Sequence, residues 1–225
     1  MSEPPRTVLF DIGGVVVDLA SIREGYAGFV DGLAADHDLA DDALDRWKST
    51  LGDHFRGREG NQYRLAREGY RKATATLFDG DPPTGWETRL ERAVDGAIRP
   101  EDGAIETIEA LSDSGIRLAI VSDIDTPEAE RMLNTFGVRE RFEHVTTSEA
   151  IGYTKPDERM FRDALETMAV EPSQAVMVGD RYSHDIVGAA ALGIETVGYG
   201  DDARGPETDH EIDDLRALPG VIGLE

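Results

Sequence analysis

Three acidic residues, at two places in this sequence, are positioned where they could bind a small ligand or a metal ion. Asp11 directly follows an apolar run and precedes Ile12-Gly13-Gly14. A carboxylate at that position is exposed at the edge of a sheet, and the glycines let backbone amides approach a ligand closely. Asp180 and Asp185 follow another apolar run and are five positions apart. This spacing suits a divalent cation held by oxygen ligands.

A hydroxyl and an ammonium group add to these acids. Ser122 ends a further apolar run, in Val121-Ser122-Asp123, where a serine is also typical of a helix cap. Lys155 lies just before Pro156, which can occupy the first turn of a helix. It is one of only three lysines in the chain, the others being Lys48 and Lys72. We therefore interpret Lys155 as a candidate functional residue rather than as surface charge.

The apolar runs themselves predict the fold that positions these residues. Each run is followed by a helical pattern, which is typical of a parallel sheet with crossover helices. In open α/β sheets, ligands bind outside the carboxyl ends of the strands, so we expect the run endings to converge on one crevice. The fold class predicted is a Rossmann-like α/β core. The predicted strands are 7–10, 117–121, 175–178 and 195–199, with a weaker run at 144–147.

The stretch from about residue 19 to residue 99 breaks this alternation. Its apolar residues recur with helical periodicity, and no strand pattern is convincing within it. We predict an all-helical insert at 19–99 and a core formed by 1–18 and 100–225, with a helix over 103–114 where the core resumes. The helices predicted within the insert cover 24–35, 41–55, 61–77 and 84–98.

Taken in order, the four strand-end elements resemble those of the haloacid dehalogenase superfamily. Its members carry a strand-end aspartate, a strand-end serine or threonine, a lysine before a helix and a late acidic GDxxxxD signature. The resemblance covers 7–17 and about 102–199, and the helical insert sits where the C1-type cap of the family belongs. The resemblance thus implies a hydrolase core with a cap that closes over the site and sets substrate choice.

The resemblance implies a covalent mechanism. Asp11 would attack phosphorus in line and form an aspartyl-phosphate, which divides one difficult hydrolysis into two easier displacements. Lys155 would neutralise the nucleophile and the phosphoryl oxygens. The implied substrate is a small phosphorylated metabolite. The implied phosphate-binding groups are Lys155, the Ser122 side chain and the amides of Ile12, Gly13 and Asp123.

The same resemblance implies Mg²⁺ as the cofactor. The ion would be bound by the carboxylates of Asp11 and Asp180 and by the carbonyl of Gly13, with Asp185 as a further acid near the ion. It would offset the repulsion between an anionic nucleophile and an anionic ester.

Gly13 departs from the usual pattern of the family's phosphatases. The residue two positions after the nucleophile is normally an aspartate that protonates the leaving group and then activates water. A backbone carbonyl survives the change, so the implied metal site is kept while the acid–base group is lost. Such a group is typically worth a factor of about 10² to 10⁴, or roughly 3 to 5 kcal/mol of barrier. We therefore expect a slow enzyme or a special substrate.

Three interpretations of Gly13 stay open. The first is a phosphatase for esters with good leaving groups, such as acyl phosphates or glycosyl 1-phosphates, or one in which another group supplies the proton. The second is a dehalogenase or a phosphonatase. The third is a non-catalytic protein that binds a phosphorylated ligand or a partner.

The second interpretation meets two difficulties in the sequence. A phosphonatase-like route requires a lysine of the cap, and Lys48 and Lys72 are expected on solvated helix faces. A dehalogenase requires no magnesium, which would leave Asp180 and Asp185 without a purpose.

Several other residues are candidates for the missing proton donor. Asp123 and Asp125 follow Ser122, although Asp125 is also placed as a helix cap before Pro127. His184 lies within the late acidic motif, although a histidine on the first turn of a helix is more often a rim residue. Asp18 is expected to be a carboxylate of the flap after the first strand.

Composition limits the remaining function classes. The 225 residues are 40% hydrophobic and contain no cysteine, which excludes a disulfide scaffold and any thiol chemistry. The net charge of −23 is spread along the chain, so nucleic-acid binding is not expected. Dispersed acidity with so little lysine resembles proteins of salt-loving microbes. We expect a cytoplasmic protein with no signal segment and no membrane span, and nothing in the sequence indicates its oligomeric state.

Overall fold

The chain folds into two compact units. One comprises the chain up to Asp18 together with everything from Pro100 onward, and the other comprises Leu19–Arg99. The computed structural model describes residues 7–78 and 80–224. Residues 1–6 and 225 of the predicted core and residue 79 of the predicted insert therefore lie outside the described residues. That the Leu19–Arg99 unit acts as a cap stays a prediction.

The larger unit is built on one parallel sheet. Its six strands, as far as the chain is described, run in the order β3-β2-β1-β4-β5-β6, and every neighbouring pair is parallel. β1 lies in the middle of the sheet, between β2 and β4. The strands are β1 (Thr7–Phe10), β2 (Arg117–Ser122), β3 (Phe142–Thr147), β4 (Ala175–Gly179), β5 (Glu195–Tyr199) and β6 (His210–Ile212).

Helices provide the connections between these strands and make up the second unit. The helices of the second unit are α1 (Leu19–His37), α2 (Ala43–Arg56), α3 (Ala66–Ala75) and α4 (Trp86–Ala97). Those of the larger unit are α5 (Ala104–Asp113), α6 (Thr126–Thr135), α7 (Ser148–Ile151), α8 (Glu158–Met168), α9 (Val187–Ala190) and α10 (Leu218–Val221).

The central strands are apolar on both faces, which is why they pair in parallel beneath helices. Leu9 is in register with Ala119 on one side and Met177 on the other, and all three are fully buried. They belong to one cluster with Phe161 of α8. Neighbouring strand residues such as Val8 point to the opposite face and are equally buried. The middle of the sheet is therefore fixed by packing on two sides, and so are the residues at the ends of its strands.

The second unit has an aromatic centre of its own. Trp47 of α2 is completely buried and stacks on Tyr70 of α3, with ring centroids 6.1 Å apart and an interplanar angle of 6°. Its indole Nε1 donates to Thr74 Oγ1 at 3.1 Å. The hydroxyls of Tyr26 and Tyr70 lie 2.8 Å apart. Burial of the large rings, together with partners for their polar atoms, stabilises the packing of α1, α2 and α3.

The predicted α/β class is confirmed, and the structure differs from the prediction at element boundaries and by one additional strand. The weak run at 144–147 begins two residues earlier, at Phe142. The helix predicted over 61–77 is shorter, because Gly60 has φ +56° and the backbone at Leu65 is extended. β6 was not predicted from the sequence, since its three residues, His-Glu-Ile, form no apolar run.

None of the helices in the described part of the chain combines the length and the apolar character needed to span a bilayer.

Candidate active site at the carboxyl ends of the strands

Asp11 stands at the carboxyl end of the central strand β1. Its amide donates to Val178 O of β4 at 3.1 Å, which continues the sheet by one residue. The side chain is buried, and its Oδ1 accepts from the Ile12 amide at 2.8 Å. The Ser122 hydroxyl at the end of β2 donates a further hydrogen bond to this carboxylate. Ser122 and Ile12 therefore both contact Asp11, the residue with which the sequence analysis grouped them.

The segment after Asp11 turns back on itself. Ile12 O accepts from the amides of Val16 and Val17 at 2.9 and 2.8 Å, and the Gly14 amide donates to Val17 O at 2.8 Å. Gly14 has φ +78°, and a Cβ built there would lie 2.1 Å from Asp180 Oδ2. Only glycine meets both conditions. This turn brings the segment that follows β1 against the acid that follows β4.

Lys155 is completely buried beneath Asp11. Its Nζ lies 3.0 Å from Asp11 Oδ1 and 2.6 Å from Asp185 Oδ1, and it donates to Val121 O at 2.9 Å. An ammonium group has three N–H donors. The contact with Val121 O is a hydrogen bond, and the contacts with the two carboxylates are close ion pairs, in which Asp185 Oδ1 has no hydrogen-bond partner among the described residues.

The charged groups around Lys155 shift one another's pKa values. Burial lowers the pKa of Lys155, but the facing carboxylates of Asp11 and Asp185 outweigh burial, so the pKa is raised and the ammonium stays protonated. Burial raises the pKa of Asp11, but the Lys155 ammonium and then the Arg181 guanidinium outweigh burial, so the pKa is lowered. Asp11 is therefore ionised at neutral pH.

The Asp123 side chain connects three separate segments. Its Oδ1 accepts from the Lys155 amide at 2.8 Å and from Ser148 Oγ at 3.0 Å. Its Oδ2 lies 3.3 Å from Arg181 Nη2. A carboxylate occupied in this way holds the Lys155 segment in place and is poorly placed to transfer protons.

Asp180 and Asp185 have different environments. Asp185 lies in a π-helical turn, Tyr182–Ile186, an element often found at functional sites. Its Oδ2 accepts from the Arg181 amide at 3.0 Å, while Oδ1 faces Lys155. Asp180 Oδ1 is buried and has no hydrogen-bond partner among the described residues. Burial and the nearby Asp11 and Asp185 carboxylates raise the pKa of Asp180 to about 7.

The three acids Asp11, Asp180 and Asp185 together fit a divalent cation. Each offers one carboxylate oxygen, and these oxygens lie within 4.8 Å of one another. A buried carboxylate oxygen without a partner is costly in the absence of a cation, and oxygen donors are those that Mg²⁺ prefers. The residues present thus fit the ion that the sequence analysis predicted, and Gly13 lies in the turn beside them.

The other candidate proton donors have different surroundings. Asp125 is buried at the N-cap position of α6. His184 Nδ1 lies 3.0 Å from Ser183 Oγ. Asp18 lies near Glu101, whose pKa is raised by burial and then by the Asp18 carboxylate.

The two lysines of the second unit differ in exposure. Lys48 is exposed, as predicted for a solvated helix face. Lys72 is half-buried, and its Nζ lies 3.5 Å from His54 Nδ1, so it is less solvated than the sequence suggested.

Arg181 is the site residue that sequence reasoning missed. It directly follows Asp180 and contacts Asp123, and its charge contributes to lowering the pKa of Asp11. The available signal was its position, since it is the one arginine within the segment 179–185. Arginine is common in this sequence, so one arginine in this segment was only a weak indication of a functional residue.

Comparison with known proteins places the chain among hydrolases. A family model described as haloacid dehalogenase-like hydrolase matches residues 5–193. A crystal structure of a HAD phosphatase from Thermococcus onnurineus is similar over 98% of this chain and 99% of that one, with a TM-score of 0.76 and 28% identity.

Two curated relatives illustrate the similarity in sequence. The mouse haloacid dehalogenase-like hydrolase domain-containing protein 3 is 43% identical over 95 residues, which are 42% of this chain and 38% of that protein. The ribulose-1,5-bisphosphate 5-phosphatase of Halopiger xanaduensis is 31% identical over 169 residues, or 68% of this chain and 71% of that protein. The chain spans less than half the length of the mouse, human and bovine relatives that it matches.

Replacement of the buried lysine should destabilise the fold. We expect Lys155→Met to lower the free energy of unfolding at pH 7 by about 3–5 kcal/mol, measured by chemical denaturation in the presence of a chelator, because two buried carboxylates lose their cation. Without that cation the folded-state pKa of Asp11 should rise above that of the unfolded chain, and the pKa of Asp185, which burial already raises, should rise further. The deficit should therefore shrink as the pH falls toward about 4.

The matched control is Lys48→Met, which removes an exposed lysine and should change the unfolding free energy little. Equal losses in both variants, or a deficit at position 155 that does not vary with pH, would contradict the buried charge cluster.

Proposed function

Because the chain belongs to the haloacid dehalogenase-like hydrolase family, we propose that it is a magnesium-dependent phosphoric monoester hydrolase acting on a small phosphorylated metabolite. The observation that carries this proposal is the buried Asp180 Oδ1, which has no partner among the described residues and lies beside the ionised Asp11. An anionic nucleophile next to a cation-binding oxygen suits attack on an anionic ester. The name of the Halopiger relative gives a phosphorylated sugar as that protein's substrate.

In the proposed first step, a carboxylate oxygen of Asp11 attacks the phosphorus atom. The new bond joins Asp11 to phosphorus, the ester P–O bond breaks, and the departing oxygen takes up a proton. Water then attacks the aspartyl-phosphate, releasing inorganic phosphate and restoring the carboxylate. The lowered pKa of Asp11 supports this role, because the attacking group must be ionised.

The neighbours of Asp11 orient the nucleophile. Lys155 and the Ile12 amide both contact Oδ1, at 3.0 and 2.8 Å, which restricts rotation of the carboxylate before reaction. The Ser122 hydroxyl and the amides of Gly13 and Asp123 are proposed to bind phosphoryl oxygens. Lys155 adds a fixed positive charge to a water-poor site, where such charges act strongly.

Mg²⁺ is proposed to be held by Asp11, Asp180 and the Gly13 carbonyl. When bound, the ion reduces the repulsion between the Asp11 carboxylate and the phosphoryl oxygens. Asp185 already contacts the Lys155 ammonium and the Arg181 amide. We therefore assign Asp185 mainly to holding these groups beside the ion.

The missing carboxyl group at Gly13 shapes the expected substrate. Asp123 accepts three contacts from Lys155, Ser148 and Arg181, so it is a poor replacement acid. An enzyme without a proton donor at this point favours leaving groups that depart without help, such as acyl phosphates or glycosyl 1-phosphates. We further propose that the Leu19–Arg99 unit is the cap that selects among such substrates.

Two other functions compete with this proposal. A dehalogenase would leave the buried Asp180 oxygen without a purpose, and a phosphonatase would need a lysine of the insert, where Lys48 is exposed and Lys72 contacts His54. A non-catalytic protein that binds a phosphorylated ligand would differ from the proposed hydrolase only in showing no turnover.

Substitution of the nucleophile is the direct test. We expect Asp11→Asn to abolish release of phosphate from acetyl phosphate and from an aryl phosphate, since an amide is a far weaker nucleophile, while circular dichroism shows a folded protein. Asp113→Asn, which alters an exposed carboxylate on α5, should retain the parent rate. Turnover near the parent rate in Asp11→Asn would exclude the covalent mechanism.

Dependence on the ion provides a second test. Removal of Mg²⁺ by a chelator should stop hydrolysis, and addition of the ion should restore it. Asp180→Asn should weaken Mg²⁺ binding at least about tenfold, measured by calorimetry on the full chain, because one charged ligand is replaced by a neutral one. Activity that is unaffected by chelation would contradict the proposed dependence on Mg²⁺.

Gly13→Asp tests the missing acid. The backbone at Gly13 does not have the positive φ found at Gly14, so an aspartate is allowed there. We expect hydrolysis of an alkyl phosphate, a poor leaving group, to rise about 10- to 100-fold relative to acetyl phosphate. An unchanged ratio would mean that the proton is supplied elsewhere or that chemistry does not limit the rate.

A further inference from the structure

The buried position of Lys155 limits its contact with an anionic substrate. Its Nζ lies within 3.0 Å of Asp11 and Asp185 and donates to the Val121 carbonyl, and the side chain is fully buried. A phosphoryl oxygen that contacted Lys155 would share the ammonium with these three groups. A second, more accessible cation would therefore add to the binding of a phosphoryl dianion.

Arg181 is such a cation. Its guanidinium makes one hydrogen bond within the described chain, from Nη2 to Asp123 Oδ2 at 3.3 Å, out of the five N–H donors that the group carries. This single contact is long for a charge-assisted hydrogen bond. About two fifths of the side chain is accessible, at 41%, so its remaining donors can reach a ligand in solution.

The position of this ion pair is set by the strand order. Asp123 follows β2 and Arg181 follows β4, while β1 runs between these two strands and ends at Asp11. The contact between Asp123 and Arg181 therefore crosses the carboxyl end of β1. The guanidinium charge acts on Asp11 across this short distance, and it helps to lower the pKa of that carboxyl.

We propose that Arg181 also binds the oxygens of the phosphoryl group, in addition to the groups proposed above, turning from Asp123 toward the incoming dianion. Lys155 orients Asp11 from its buried position. This inference rests on the proposed function for its ligand, a phosphoryl dianion, and it adds a recognition residue that the four strand-end elements did not include. A planar guanidinium can donate two parallel hydrogen bonds to one phosphoryl group.

Binding of inorganic phosphate to the full chain, measured by calorimetry in the presence of Mg²⁺, tests the proposal. We expect Arg181→Gln to weaken phosphate binding about tenfold or more, the usual effect of losing a charged hydrogen-bond pair, and to raise KM for acetyl phosphate by a similar factor with a smaller change in kcat. Arg181→Lys, which keeps the charge, should give an intermediate loss and remains informative if the glutamine variant folds poorly.

A matched variant separates loss of this guanidinium from loss of any accessible arginine. Arg162→Gln changes an arginine of similar exposure, 52%, on α8, and should leave phosphate binding unchanged.

Three results would overturn the inference: unchanged phosphate affinity in Arg181→Gln, an equal loss in Arg162→Gln, or no phosphate binding by the parent protein. Arginine-dependent phosphate binding without turnover of any ester would reject the proposed hydrolase and keep the inference. Turnover that depends on Asp11, with phosphate affinity and KM unaffected by Arg181→Gln, would reject the inference and keep the hydrolase.

Discussion

The buried ammonium of Lys155 is the group on which the site depends. Asp11 and Asp185 extend from different strand ends, and without a cation between them two carboxylates would be buried in mutual repulsion. Lys155 draws both within 3.0 Å and also bonds to β2 through the Val121 carbonyl. One side chain therefore ties the ends of three neighbouring strands, β2, β1 and β4. The position of the Asp11 carboxylate therefore depends on its ion pair with Lys155 as much as on the sheet.

Around this centre the structure divides two tasks between its positive groups. Lys155 is buried against two carboxylates and the Val121 carbonyl and serves to hold Asp11 in place, whereas Arg181 has one long contact and an accessible surface. Asp123 links the two, since its carboxylate accepts from the Lys155 amide and from the Arg181 guanidinium. A buried cation maintains the fold, and a partly exposed one with spare donors is suited to bind an anion reversibly.

Much of this arrangement could be predicted from sequence because a parallel sheet collects the carboxyl ends of its strands at one edge. Asp11, Ser122 and Asp180 were identified simply as polar residues after apolar runs, and the haloacid dehalogenase resemblance is confirmed by the family match. Donor directions could not be predicted, because they depend on side-chain conformation in the folded chain. The contacts of Lys155 and of Arg181 therefore could not be predicted from the sequence, and neither could the short edge strand β6, which has no apolar run.

The contact between Gly14 and Asp180 also bears on how such a site can change over time. The carboxylate at 180 occupies the space that any side chain at 14 would fill. The residues at these two positions, although distant along the chain, therefore constrain each other. A lineage that lost the acid would be released from the glycine, although the left-handed backbone would still favour it. A lineage that keeps the acid has no such freedom, and comparison of descendants should find the two residues gained and lost as a pair.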